Sequence, residues 1–212
     1  MIEPVTGSHH LPAHPVAVLG IGNVLLGDDA VGPAVVAMLA AGYRVPPAVS
    51  LLDVGTPGID LADYLAGLHT AILVDSVRLE APPGTRCRLD KSQLIGPAGS
   101  GGGKGLRRAG HDPALRDTLL ALDLCGLAPA EVIFIGVVPG STATHLGMSD
   151  VVRAAARLAA GDVAAELRRL GLDVRERPSW LPPDLWWERD PSRPSGPPRR
   201  ALPHRGVHHR AP

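Results

Sequence analysis

The chain has 212 residues, of which 45% are apolar and only 3% aromatic, so its core must be built from aliphatic side chains. Lys and Arg together number 21, as do Asp and Glu, and this balance argues against a protein that binds nucleic acid through surplus positive charge. A membrane span needs about 18 uninterrupted apolar residues, and no stretch of the chain is that long. The first residues also lack the apolar segment of a secretory signal. We therefore expect a cytoplasmic protein with no membrane span and no nucleic-acid partner.

Composition divides the chain into three segments. Residues 1–14 resemble a flexible lead, and residues 15–172 carry the apolar runs of one folded domain. Residues 173–212 contain eight Arg, nine of the 22 prolines and all three tryptophans. Because so polar a segment buries little apolar surface to offset its ordering entropy, we expect a disordered Pro/Arg-rich tail. Its element SWLPPDLWWERD is the exception, and packing of the tryptophan rings against the domain's own surface is favoured over partner binding.

Strands and helices alternate along the domain. Continuous runs of Val, Ile and Leu are typical of strands buried on both faces of a parallel sheet. Such runs predict strands at 15–22, 48–55, 70–77 and 131–138, with a weaker candidate at 84–90.

Helical spacing of apolar residues predicts the elements between these strands, at 30–42, 57–68, 112–126 and 149–171. The order β-α-β-α-β-β-α-β-α implies right-handed crossovers. We therefore expect a single α/β domain, a doubly wound, mostly parallel sheet with helices on both faces.

Acidic residues follow three of the predicted strands. Asp28 and Asp29 come after the first strand, Asp53 ends the second and Asp75 ends the third, while His111 stands at the entrance to the third helix. Ligands of such sheets bind beyond the carboxyl ends of the strands, so these side chains should meet at one edge. Clustered carboxylates repel one another unless a cation intervenes. Two carboxylates and one imidazole predict a metal site with open positions for water or substrate.

Each of these residues also has a structural explanation. One of the pair Asp28 and Asp29 is expected to cap the first helix, although both cannot do so. Asp53 has two explanations, an Asx-turn before Gly55 and a functional role. Asp75 is the hardest to explain structurally, because a strand end with little solvent has no use for an unpaired charge. His145 we interpret as a surface residue.

The glycine-rich turn after the first strand raises the alternative of a nucleotide-binding, Rossmann-like enzyme. Gly20 and Gly22 match the start of G-x-G-x-x-G, but Leu25 stands where the third glycine is required. The two acidic residues of the turn would also repel a pyrophosphate. Cys87 and Cys125 lie in apolar patterns and are expected in the core, since two distant cysteines form neither a disulfide framework nor a structural zinc site.

Five segments together resemble the hydrogenase maturation proteases, the endopeptidases that trim the C-terminus of the large subunit of nickel–iron hydrogenases. The block G-x-G-N-x-L-x-x-D-[DE]-x-x-G is the most specific of them. The segments are VLGIGNVLLGDDAVG (18–32), LLDVGTPGIDLADYL (51–65), AILVDSV (71–77), GHDPALRDTLLAL (110–122) and VIFIGVVPG (132–140).

The resemblance implies a function and a set of site residues. The family's three metal-binding positions fall on Asp29, Asp75 and His111, and its D-x-G-T segment begins at Asp53. Similar proteins hold no metal at rest; they sense nickel in the substrate precursor and cut once to release a C-terminal peptide. A metal-polarised carbonyl and a carboxylate-activated water are both possible routes of attack, with Asp53 as the candidate for activating water. A non-catalytic nickel chaperone for hydrogenase assembly is a further alternative.

Overall fold

The computed structural model describes residues 16–96 and 113–189, so the predicted lead of residues 1–14 and His111 lie outside the described residues. The strands are β1 (Val16–Ile21), β2 (Tyr43–Arg44), β3 (Val49–Gly55), β4 (Thr70–Ser76), β5 (Arg86–Asp90), β6 (Glu131–Val137) and β7 (Arg175–Glu176). The helices are α1 (Val31–Gly42), α2 (Leu61–Leu65), α3 (Lys91–Ile95), α4 (Pro113–Leu124) and α5 (Asp150–Arg169).

The main sheet has five strands in the order β3-β1-β4-β6-β5. Strands β3, β1, β4 and β6 run parallel, and β5 pairs antiparallel with β6. The central strands β1 and β4 are buried along most of their length, because helices cover the sheet on both sides. The predicted α/β fold, including the weak strand at 84–90, is confirmed.

The helices divide into two layers. On one side of the sheet, α1 and α5 pack together, with an apolar cluster that includes Val18, Val74 and the alanine-rich face of α5. On the other side, α2, α3 and α4 cover a second cluster that includes Leu19 and Leu73. We refer to these as the α1–α5 side and the α2–α4 side. Alternate residues of one strand face opposite sides, which decides where each polar side chain at a strand end is directed.

Helix α2 is shorter than the predicted segment 57–68. A 3-10 turn over Gly58–Asp60 precedes it, and the helix ends at Leu65. Gly67 has a φ of +75°, a left-handed conformation that a continuing helix does not allow. The apolar spacing predicted the correct location of α2, but the left-handed conformation of Gly67 explains why the helix ends early.

Residues 173–189 pack on the domain, so the predicted start of a disordered tail at residue 173 is wrong for this stretch. Strand β7 pairs antiparallel with β2, and Trp187 is only 6% exposed. Trp180 lies against the end of α1, with the guanidinium of Arg157 stacked 3.9 Å from the centroid of its ring. Burial of these rings offsets the entropy cost of ordering the segment. Composition alone had suggested that this cost would keep the segment disordered. The expected packing of tryptophans on the domain's own surface is therefore confirmed for these two rings.

The two cysteines differ in burial. Cys87 is half-buried against the α2–α4 side, but Cys125 is exposed, so its predicted core position is wrong. The apolar face of α4 ends at Leu122, and the chain turns into solvent before Gly126, whose φ is +68°. None of the helices in the two described stretches combines the length and apolar content that crossing a membrane requires.

Candidate active site

Glycines bring the start of α1 against the end of β1. A Cβ atom on Gly20 would lie 2.4 Å from the carbonyl oxygen of Gly32, and one on Gly32 would lie 2.1 Å from that of Ile21. Gly22 has a φ of +145°, and a Cβ there would lie 1.9 Å from the carbonyl oxygen of Asp29. Only glycine fits such contacts. The glycines of the first motif therefore place Asp29 directly at the carboxyl end of the sheet.

A cavity of about 480 Å³ opens at this edge. It is lined by both Asp29, from the turn after β1, and Asp75, from the end of β4. Of the carboxylates and the imidazole that the sequence predicted to meet at one edge, the structure places these two at the same cavity. The polar residues that line the cavity are Asp29, Thr56, Asp75, Ser76, Arg78 and Thr142.

Hydrogen bonds orient both carboxylates. Asp29 Oδ2 accepts a bond of 2.8 Å from the backbone N–H of Asn23, and Asp29 Oδ1 accepts one of 2.5 Å from the hydroxyl of Ser76. Asp75 Oδ1 accepts a bond of 2.7 Å from the N–H of Ser76. A carboxylate offers about four acceptor positions, and the two contacts at Asp29 use one on each of its oxygens. Oxygen donors of this kind suit a divalent metal ion.

The neighbouring carboxylate, Asp28, serves a different purpose. It is 1% exposed and accepts bonds from the N–H groups of Gly140, Ser141 and Ser149 at 2.8, 3.0 and 2.6 Å, together with the hydroxyl of Ser149. Burial acts to raise the pKa of Asp28, but these donors outweigh it and hold the pKa below its ordinary value.

Neither carboxylate caps α1, whose N-cap residue makes no side-chain hydrogen bond. The prediction that one of the pair caps the first helix is therefore wrong. Asp28 instead binds Ser149, the N-cap of α5, where its charge complements the helix dipole.

Asp28 also fixes the loop that follows β6. The N–H of Asp28 donates to the carbonyl of Ser141, and the N–H of Gly27 donates to that of His145. These bonds hold the loop against the turn after β1, so that Pro139 and Thr142 reach the cavity. His145 itself is exposed, as predicted.

Asp53 lies near the end of β3, the outer strand of the parallel set, where the pairing with β1 shifts in register. Its carboxylate is exposed and accepts a 3.1 Å bond from the N–H of Gly55, which is the Asx-turn interaction that the sequence offered as one alternative. Asp53 shares a strand face with Leu51, which packs on the α1–α5 side, and it is not among the residues lining the cavity. Thr56 of the same segment does line it.

His111 lies outside the described residues, so the structure brings together two of the three predicted metal ligands. Helix α4 begins at Pro113, two positions after His111, and Leu115 of this helix lines the cavity. Within residues 16–96 and 113–189, no group of three or more His, Cys, Asp or Glu side chains is placed to hold a metal ion.

The same geometry argues against the nucleotide-binding alternative. In a dinucleotide site, backbone N–H groups of the glycine-rich turn face the pyrophosphate. Here the N–H of Asn23 donates to the carboxylate of Asp29, and the neighbouring Asp28 adds a second, buried carboxylate to the same turn. The turn therefore favours a cation over a phosphate.

The family described as hydrogenase maturation protease matches residues 33–166 of the chain. The hydrogenase 2 maturation protease of Escherichia coli (strain K12) is 33% identical over 163 residues, which cover 76% of this chain and 96% of that protein. The chain belongs to the hydrogenase maturation protease family.

Solved structures of the family have the same architecture. The hydrogenase maturating endopeptidase HybD from E. coli is 32% identical and superposes with a TM-score of 0.66, covering 76% of this chain and 97% of that one. The hydrogenase 2 maturation peptidase from a Thaumarchaeota archaeon is 35% identical with a TM-score of 0.54, covering 74% of this chain and 99% of that one. Because the relatives are proteases and endopeptidases, this member of the hydrogenase maturation proteases is a peptidase.

Sequence reasoning missed Arg78, which lines the cavity, and three further contributors to the site. Ser76 contacts both carboxylates, the N–H of Asn23 orients Asp29, and Thr142 reaches the cavity from the loop after β6. The first two stand inside motifs that were recognised, directly beside Asp75 and in the turn GIGN. Thr142 carried no such signal, because its position depends on hydrogen bonds to residues more than a hundred positions away.

Proposed function

We propose that the chain is an endopeptidase that removes a C-terminal peptide from the nickel-loaded precursor of a nickel–iron hydrogenase large subunit. One observation carries the proposal: Asp29, from the turn after β1, and Asp75, at the end of β4, line a single cavity at the carboxyl edge of the sheet. In this proposal the nickel belongs to the substrate, and the peptidase binds it only as part of the precursor.

His111 is proposed as the third ligand. It precedes the first residue of α4 by two positions, and two residues of chain span at most about 7 Å. Leu115 in the first turn of α4 lines the cavity, so the start of this helix lies at the same cavity as the two carboxylates, which supports the proposal. Two carboxylates and one imidazole would hold nickel weakly alone and more firmly when thiolates of the precursor supply the remaining ligands.

Nickel held at this cavity would place the precursor's peptide bond beside the carboxyl ends of the strands. The bound ion would act as a Lewis acid on a carbonyl or on water. Asp53 stays our candidate for activating water, from the turn that also contributes Thr56 to the cavity. Because Asp53 does not line the cavity, it would accept the proton of the attacking water through a second, intervening water molecule.

The test is to incubate the chain with the nickel-free and the nickel-loaded precursor and to weigh the products by mass spectrometry. We expect the mass of the C-terminal peptide to be lost from the nickel-loaded precursor alone. Cleavage of both forms would contradict nickel recognition. Two intact precursors would contradict the assignment of the substrate and favour a nickel chaperone role at this site.

A further inference from the structure

Ser76 contacts both carboxylates of the cavity through two different groups. Its backbone N–H donates to Asp75 Oδ1 at 2.7 Å, and its hydroxyl donates to Asp29 Oδ1 at 2.5 Å. Ser76 is half-buried and lines the cavity itself. A single residue therefore links the end of β4 to the turn that follows β1.

The alternation of side chains along β4 explains how Ser76 reaches both partners. Leu73 and Val77 pack on the α2–α4 side, and Asp75 shares their face. Val74 packs on the α1–α5 side, and Ser76 shares that face, from which α1 and its preceding turn approach the sheet. The hydroxyl consequently meets Asp29, while the N–H stays beside Asp75.

We propose that Ser76 is a positioning residue, whose hydroxyl holds the Asp29 carboxylate in the orientation in which it and Asp75 bind one ion together. The inference rests on the proposed function. Asp29 is held at its other oxygen by the backbone N–H of Asn23, so the Ser76 hydroxyl is what prevents rotation about that single contact. Hydrogen bonds that orient metal ligands commonly change metal affinity by about 10–100-fold.

A side-chain substitution can isolate this contact. Ser76→Ala removes the hydroxyl and leaves the N–H that donates to Asp75, whereas Ser76→Thr keeps both donors. The matched control is Ser92→Ala, because the Ser92 hydroxyl also donates to an aspartate, Asp90, at 2.6 Å, on α3 and away from the cavity.

The measurement is the steady-state cleavage of the nickel-loaded precursor, with KM and kcat determined separately. For Ser76→Ala we expect KM to rise about tenfold with kcat changed less than about twofold, because the carboxylates grip the ion when the precursor binds. Ser76→Thr should restore KM to within about threefold of the parent value. Ser92→Ala should match the parent chain, and melting temperatures should confirm that every variant is folded.

The outcomes separate this inference from the proposed function. A folded Ser76→Ala variant with the parent KM would overturn it, as would a folded Ser76→Thr variant as impaired as Ser76→Ala. Asp29→Asn is measured alongside: if that variant cleaves at the parent rate, the proposed function itself fails. If Asp29→Asn is impaired and Ser76→Ala is not, only the role of Ser76 fails.

Discussion

Asp28 and Asp29 are neighbours in sequence with opposite surroundings. Asp28 is buried and accepts four hydrogen bonds from the loop after β6 and the start of α5, whereas Asp29 faces the cavity with Asp75. A buried carboxylate with satisfied acceptors contributes to stability, and a carboxylate at an open cavity remains available to a ligand. The comparison shows that the turn after β1 both holds the architecture and presents the site.

The largest expected effect is on cleavage. Asp29→Asn, Asp75→Asn and His111→Ala should each reduce nickel-dependent cleavage by at least about 100-fold, because each removes one ligand of a weakly held ion. For the two Asp variants, the melting temperature should stay within about 3 °C of the parent value, as for a surface change of about 0.5 kcal/mol. Parent-level cleavage by both Asp75→Asn and His111→Ala would show that the metal site is wrong.

Asp28→Asn should show the reverse pattern, with a larger effect on stability than on cleavage. Its amide replaces one acceptor oxygen with a donor, which would face the N–H of Ser149 in one orientation and those of Gly140 and Ser141 in the other. We therefore expect a loss of about 2 kcal/mol in the free energy of unfolding and about 4–8 °C in melting temperature. Chemical denaturation measures the difference. Asp90→Asn is the matched control: Asp90 also accepts an N–H and a hydroxyl, but at an exposed helix N-cap, where Asn performs nearly as well.

The comparison is sharpest when cleavage and the free energy of unfolding are both measured for Asp29→Asn and for Asp28→Asn. Asp29→Asn should lose more activity than stability, and Asp28→Asn should lose more stability than any other variant at this turn. A stable Asp28→Asn variant would mean that the loop after β6 is held without that carboxylate.

Asp53→Asn is expected to have a smaller effect. Asn keeps the Asx-turn bond to the N–H of Gly55, so the melting temperature should change by no more than about 2 °C. If Asp53 activates water from outside the cavity lining, cleavage should fall about tenfold while nickel binding is retained. An unchanged rate would assign the attack to a metal-polarised carbonyl.

The smallest expected effect is on the pH dependence of the free energy of unfolding. Because the folded state lowers the pKa of Asp28, its stabilisation is fully present above the unfolded pKa of about 3.9 and is lost as the pH falls through the lower, folded value. The difference in unfolding free energy between the parent chain and Asp28→Asn should therefore be constant from pH 7 to about 5 and narrow below about 4. A difference that widens on acidification would contradict this assignment.

Much of the fold could be predicted because buried parallel strands leave continuous apolar runs. Only the family resemblance distinguished Asp29 from Asp28. Residue patterns alone could not, since the partners of Asp28 lie 112 to 121 positions away and only the folded chain brings them close. Packing of the tryptophans was expected, but disorder from residue 173 onward was predicted wrongly for residues 173–189. Composition describes the average of a segment, whereas a few tryptophans such as Trp187 decide its location.

The central claim is that Asp29 and Asp75 bind the nickel of the precursor. X-ray absorption at the nickel edge tests it directly, on nickel-loaded precursor alone and on the same precursor frozen immediately after the peptidase is added. We predict that the peptidase adds oxygen and nitrogen donors to the nickel shell, and that Asp29→Asn adds fewer. A nickel shell that stays unchanged while the precursor is cleaved would contradict the account.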